Sequence, residues 1–167
     1  MTQPALTVAL VSAAPDPGIL EPLLQANEFI QAWRHRGCLR KINVHFAGHV
    51  PAEQLATSNV WAADVVILDG HGYWPAAETI SLGGASDDAS NRPWTDVLPD
   101  PLPPHVRALV LGACSSGEAP VRDAIRSQAS NPIAVLGSRV IAQEWHGLLL
   151  YPSVLVRLAD RPLAPDR

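Results

Sequence analysis

The sequence predicts a three-layer α/β fold in which helices cover both faces of a mostly parallel sheet. Short runs of Val, Ile and Leu alternate along the chain with longer stretches whose apolar residues recur at helical spacing. Short apolar runs closed by glycine or polar residues are typical of buried parallel strands. Strands that alternate with helices join into a parallel sheet through crossover connections. We therefore predict a single domain over residues 1–167.

The predicted strands are short apolar runs, and the predicted helices are longer segments with one apolar stripe. Aliphatic side chains suit a pleated surface, whereas apolar residues three or four positions apart form one face of a helix. Strands are predicted at residues 6–11, 42–46, 65–69, 108–112 and 133–136, with a candidate short strand at 139–142. Helices are predicted over about 19–35, 51–63, 118–129 and 145–159.

Proline and glycine mark the ends of several of these elements. Pro22 is tolerated because it lies in the first turn of its helix, and Gly37 follows that helix as a stop signal. Pro51 opens the second helix, and Asn131-Pro132 breaks the chain before the strand at 133–136.

One long segment, residues 73–105, interrupts the alternation of strands and helices. It holds a candidate hairpin strand at 79–82 and a proline-rich stretch at 98–104. Connections of this length inside a compact domain are usually functional or disordered. Because the segment leaves the strand directly after His71, we expect it to form a wall of a site. The alternative is a surface loop without a role in the site.

The composition excludes several classes of protein. Hydrophobic residues make up 47% and charged residues 17% of the chain, which is not the composition of a disordered protein. The net charge of −4 predicts no nucleic-acid partner, and the basic stretch at 34–41 is interpreted as a helix end. No apolar run approaches the roughly 20 residues that span a bilayer, so no membrane association is expected. The start of the chain lacks a basic leader, and Cys38 and Cys114 are expected to stay reduced, which predicts a cytoplasmic protein.

A histidine and a cysteine follow two of the predicted strands and are the leading catalytic candidates. His71 follows the strand at 65–69, and Cys114 follows the strand at 108–112. In open α/β sheets, chemistry collects beyond the carboxyl ends of the strands, so the two side chains are expected to meet there. A cysteine attacks as its thiolate, which a neighbouring imidazole favours. His71 would then protonate the leaving group and later activate water.

Small residues beside this pair have a predicted role as well. The run Ser-Ser-Gly at 115–117 allows a tight turn toward the next helix, which would leave the Cys114 amide near a helix N-terminus. Gly72 lets the backbone approach a substrate carbonyl, because it carries no Cβ. The amides of Gly72 and Cys114 are therefore the predicted oxyanion hole.

The reactive residues also allow other interpretations. Cys114 could be an inert core thiol, and Cys38, which follows a helix stop, is interpreted as structural. Surface or capping roles are expected for the remaining histidines, namely His35, His45, His49, His105 and His146. No spacing typical of a zinc site, phosphate loop or serine nucleophile elbow occurs, so neither a metal nor a cofactor is expected.

The two motifs resemble those of the caspase-like cysteine peptidases, the clan of caspases, metacaspases, gingipains and separase. Asp-Gly-His-Gly at 69–72 and Leu-Val-Leu-Gly-Ala-Cys-Ser-Ser-Gly at 109–117 look most like bacterial CHAT domains. The strand at 133–138 and the closing helix, with Leu-Leu-Leu-Tyr-Pro-Ser-Val-Leu at 148–155, extend the resemblance. It covers most of the chain from about residue 64 onward.

The resemblance implies a caspase-like fold and a cysteine endopeptidase. Its Cys–His dyad would be His71 and Cys114, with backbone amides at Gly72 and Cys114 and no metal. A protein or peptide would be the substrate, in a bacterial defence or stress pathway. Activation by a separate partner protein, activation by self-association and constitutive activity all stay open. A catalytically silent interaction module and a small-ligand-binding doubly wound domain are the alternative functions.

Substrate preference does not carry over from the resemblance. Two residues before the cysteine, caspases have Gln and metacaspases have Asp. The metacaspase Asp helps to bind a basic side chain of the substrate. This chain has Gly112 at that position. Asp16, Asp69 and Glu144 lie near predicted strand ends and are candidates to line a pocket for Arg or Lys. Each of the three acids could instead be a helix cap or a surface residue.

Overall fold

The computed structural model describes residues 5–39, 41–72, 79–81, 91–139 and 144–160. Its strands are β1 (Leu6–Ser12), β2 (Ile42–His49), β3 (Val65–Asp69), β4 (His71–Gly72), β5 (Thr79–Ser81), β6 (Asn91–Pro93), β7 (Ala108–Leu111) and β8 (Ala134–Gly137). Its helices are α1 (Pro17–His35), α2 (Ala52–Leu55), α3 (Trp94–Val97), α4 (Ala119–Gln128) and α5 (Glu144–Asp160), with a 3-10 turn at Asn59–Ala62.

The central sheet is parallel throughout the part of the chain that the structure describes. Its five strands run in the order β2-β1-β3-β7-β8, and each neighbouring pair is parallel. The predicted α/β fold with a mostly parallel sheet is confirmed. A second, antiparallel sheet joins β4, β5 and β6, so the predicted hairpin strand at 79–82 exists as β5.

Alternate residues of each central strand face opposite layers, as the two-residue period of a strand requires. In β3, Val65 and Ile67 pack with α1 and α5, whereas Val66 and Leu68 pack with the shorter helices on the other face. All four side chains are buried. Helices therefore cover both faces of the sheet, which gives the predicted three layers and explains why the run from Val65 to Leu68 is continuously apolar.

The prediction of one continuous helix over 51–63 was wrong. Four residues form α2, and the chain then turns at Thr57 and Ser58 before a short 3-10 turn. The Thr57 hydroxyl donates to the carbonyl of Gln54, and such bonds from Ser and Thr compete with helical hydrogen bonding. Trp61 then donates its indole N–H to the carbonyl of Leu55, 2.6 Å away. Its buried side chain belongs to the core cluster on the same face of the sheet as Val66 and Leu68.

The other predicted elements hold to within a few residues, with β2 three residues longer than predicted. The candidate strand at 139–142 and most of the segment at 73–90 lie outside the described residues. Among the helices of the described ranges, none combines the length and the apolar character that crossing a membrane requires.

Candidate functional site

The site lies where β3 and β7, neighbours in the central sheet, reach their carboxyl ends. Leu68 pairs with Leu111, and the Gly112 amide donates to the carbonyl of Leu68 at 2.9 Å. The chain then continues to His71 from β3 and to Cys114 from β7. The structure thus brings the segments of the two predicted catalytic residues to one edge of the sheet.

Gly72 provides the close approach between these segments. A Cβ on Gly72 would overlap the carbonyl group of Cys114, so only glycine fits without a backbone shift. The residue lies in β4, where it pairs with Ile80 of β5 while His71 pairs with Ser81. The long segment after His71 therefore contributes backbone that pairs with the His-Gly segment, and its role as a wall of the site stays a prediction.

Cys114 lies in a tight turn and is partly buried, whereas Cys38 is exposed, and neither forms a disulfide. Ser115 has a φ of 56°, in the left-handed region that residues other than glycine rarely adopt. The Glu118 amide donates to the Ser115 carbonyl at 3.1 Å, and α4 begins only at Ala119. Four residues of turn thus separate Cys114 from the first residue of α4, and the placement of the Cys114 amide near a helix N-terminus stays a prediction.

The end of β8 supports this turn from the side. The Gly117 amide donates to the Ser138 carbonyl at 2.8 Å, and the Ser138 amide donates to the Ser116 hydroxyl at 3.2 Å. A Cβ on Gly137 would overlap backbone and side-chain atoms of Ser116. The Gly-Ser pair at 137–138 is thus explained by close packing against the turn that carries Cys114.

Asp16 is bonded directly to His71, a pairing that sequence reasoning missed. The Nε2 atom of His71 lies 2.9 Å from Oδ2 of Asp16, and the two side chains are 22% and 27% exposed. Oδ1 of the same carboxylate accepts the Gly18 amide at 2.7 Å, so Asp16 also caps α1. The hydrogen bond with His71, followed by that from Gly18, lowers the pKa of Asp16 below its ordinary 3.8. Asp16 is therefore an anion near neutral pH.

The order of the strands explains how Asp16 reaches the site. β1 lies beside β3, with Ser12 paired to Asp69, and the Ala13 amide donates to the carbonyl of Asp69 at 2.8 Å. The loop that follows β1 consequently crosses the edge where His71 lies. The signal in the sequence was an aspartate before a proline at the start of a helix. This pattern indicates a helix cap but does not predict a hydrogen bond with His71.

Asp69 is buried beneath the site rather than open to it. Its Oδ2 accepts the Tyr151 hydroxyl at 2.6 Å, and its Oδ1 accepts the Gly70 amide at 2.9 Å. Burial raises the pKa of Asp69, and the hydrogen bonds from Tyr151 and Gly70 oppose that shift. Burial, together with the neighbouring Asp69, also raises the pKa of Tyr151. A Cβ on Gly112 would overlap both the Tyr151 hydroxyl and the Asp69 carboxylate, which explains the glycine there.

The four pocket candidates therefore occupy different surroundings. Asp16 is bonded to His71, Asp69 is buried against Tyr151, and Gly112 packs against that pair. Glu144 begins α5, but its side chain lies outside what the structure describes. A pocket for Arg or Lys stays a prediction. No group of three or more His, Cys, Asp or Glu residues within the described ranges could hold a metal ion.

Comparison with known proteins assigns no family to the chain. No family model, no curated protein and no solved structure matches it. The function must therefore be inferred from the chemistry of the site itself.

Proposed function

We propose that the protein is a caspase-like cysteine endopeptidase whose nucleophile is Cys114 and whose general acid and base is His71. One observation carries the proposal: Gly72, which directly follows His71, packs against the backbone of Cys114 at neighbouring strand ends. A contact that tolerates only glycine fixes the two segments relative to one another. The exposed Cys38 has no comparable surroundings among the described residues.

The reaction would proceed through an acyl-enzyme. The Cys114 thiolate attacks the scissile carbonyl carbon, and the tetrahedral intermediate collapses to a thioester as His71 protonates the departing amine. Water then attacks the thioester, His71 takes its proton, and the acid product leaves with Cys114 restored. The close backbones of Gly72 and Cys114 make their amides the candidate donors to the oxyanion of both intermediates.

The proposed substrate is a protein or peptide, and the proposed compartment is the cytoplasm, where thiols stay reduced. A role in bacterial defence or stress, and an activating partner protein, follow only from the motif resemblance at 69–72 and 109–117. Asp16, Gly112 and Glu144 remain the proposed lining of a pocket for the residue before the scissile bond, whereas Asp69 is buried beneath the site against Tyr151.

Replacement of each cysteine separately tests the proposal. Purified protein, Cys114→Ala and the matched control Cys38→Ala would be incubated with a peptide library, and cleavage would be read by mass spectrometry. Cleavage should disappear in Cys114→Ala and persist in Cys38→Ala, with both variants retaining the circular dichroism spectrum of the unsubstituted protein. Undiminished cleavage by Cys114→Ala would falsify the mechanism. Absence of both cleavage and selective alkylation of Cys114 in the unsubstituted protein would favour the silent interaction module.

A further inference from the structure

The Asp16 side chain is held more firmly than a helix cap requires. Oδ1 accepts the Gly18 amide at 2.7 Å, which completes the capping interaction, while the Asp16 carbonyl accepts the amides of Ile19 and Leu20. Oδ2 is left for His71, 2.9 Å away. Because one oxygen is fixed by the helix, the position of the other oxygen is fixed as well.

This geometry decides which nitrogen of His71 is available to the nucleophile. Nε2 is engaged by the carboxylate, so Nδ1 is the ring atom left to exchange a proton with Cys114. A carboxylate accepts hydrogen bonds and cannot donate them, which requires the proton of the neutral ring to be on Nε2. The bond thus selects one tautomer of His71.

We propose that Asp16 is a positioning residue which holds His71 as its Nε2–H tautomer, so that the site operates as Cys114–His71–Asp16. The inference rests on the proposed function of Cys114 and His71. In the proton transfer, the Cys114 sulfur loses its proton to Nδ1, and the ring becomes an imidazolium. The Nε2 proton stays on the ring, hydrogen-bonded to Asp16, and the carboxylate itself is not protonated.

The charge of Asp16 matters as much as its position. A thiolate forms together with an imidazolium, and a carboxylate at hydrogen-bond distance stabilises that cation. The same hydrogen bond favours the charged form of Asp16 and is the largest cause of its lowered pKa. A neutral amide at position 16 would keep the shape and lose the charge.

Asn and Ser at position 16 separate this role from helix capping. Both residues cap helices about as well as Asp, so Asp16→Asn and Asp16→Ser should unfold at nearly the temperature of the parent. Asp123→Asn is the matched control, since Asp123 is an exposed residue of α4 away from the site. All variants would be made with Cys38→Ala, so that Cys114 is the remaining thiol.

Two measurements on these proteins test the inference. The rate of Cys114 alkylation by iodoacetamide, followed across pH, should fall about tenfold near pH 6 in Asp16→Asn and Asp16→Ser, because the imidazolium that accompanies the thiolate loses its carboxylate partner. Asp123→Asn should match the parent. Nitrogen-15 NMR of the parent should show the His71 proton on Nε2 at high pH, and this preference should weaken in both position-16 variants.

The outcomes distinguish the two levels of the proposal. A parent Cys114 that is alkylated faster than a cysteine in a short peptide, with the same rate and tautomer in Asp16→Asn, overturns the role of Asp16 alone. A parent Cys114 no faster than the peptide contradicts the proposed nucleophile, and the positioning role falls with it. Selective loss of rate in both position-16 variants, without loss of thermal stability, supports the inference.

Discussion

The Tyr151 hydroxyl donates to the Asp69 carboxylate across 2.6 Å, and this buried bond ties helix α5 to the end of strand β3. Asp69 lies two residues before His71, so the bond fixes the strand end from which the segment with His71 departs. Gly112 leaves the room for this pair, since a side chain there would overlap both partners. The buried contact beneath the site is therefore a polar one, between Tyr151 and Asp69, in a layer that is otherwise apolar.

Loss of the Tyr151 hydroxyl should destabilise the fold. Tyr151→Phe leaves the buried Oδ2 of Asp69 without its donor, and an unsatisfied buried polar group costs about 1–3 kcal/mol. Urea denaturation should show a loss of this size. Asp69→Ala removes the acceptor, so this substitution alone and in the Tyr151→Phe background completes a double-mutant cycle. Strictly additive effects of the two substitutions would contradict a direct interaction.

Asp69 should also give the stability a pH dependence of unusual sign. Burial raises the pKa of Asp69 in the folded state, so the unfolded state loses this proton first as the pH rises above about 3.8. The folded state is then the state that binds more protons, and its stability relative to the unfolded state falls with rising pH. Asp69→Asn should remove this contribution. The unfolding free energy of Asp69→Asn, taken relative to that of the parent, should therefore increase from pH 4 to pH 7. A relative value that stays constant with pH would contradict the raised pKa of Asp69.

Substitution at Gly72 should impair folding and the site together. A Cβ on Gly72 overlaps the backbone of Cys114, which cannot rotate away as a side chain can, and overpacking of this kind costs about 1–3 kcal/mol. We expect Gly72→Ala to lower the melting temperature and to change the rate of Cys114 alkylation. Gly48→Ala is the control: Gly48 has a φ of +67°, and its Cβ position makes only an ordinary van der Waals contact with Phe46 at 3.9 Å, so its substitution should cost stability without altering Cys114.

The sequence predicted the centre of the sheet well because β3 and β7 are apolar runs buried on both faces, as Val65 to Leu68 illustrates. The helix over 51–63 was mispredicted because polar turn residues at 57–59 outweighed the surrounding helical spacing. The pairing of Asp16 with His71 depends on which strands are neighbours and on the path of a loop, neither of which local spacing encodes. Gly112 was interpreted as a pocket candidate from which no substrate preference carries over, and the structure adds a physical reason for the glycine, the volume taken by Tyr151 of α5.

Adjacent serines in the turn after Cys114 should respond to alanine in opposite directions. Both are fully buried. The Ser116 hydroxyl donates to the Ala113 carbonyl at 2.6 Å and accepts the Ser138 amide at 3.2 Å, whereas the Ser115 hydroxyl has no hydrogen-bond partner among the described residues.

Ser116→Ala should therefore lower the free energy of unfolding by about 1–3 kcal/mol, because it removes the hydrogen bonds that the buried hydroxyl makes with the Ala113 carbonyl and the Ser138 amide. Ser115→Ala removes an unpartnered buried hydroxyl and keeps the Cβ, so the free energy of unfolding should stay the same or rise by about 1 kcal/mol. Urea denaturation of the two variants side by side measures the difference. A larger loss in Ser115→Ala than in Ser116→Ala would show that the Ser115 hydroxyl has a stabilising partner in solution.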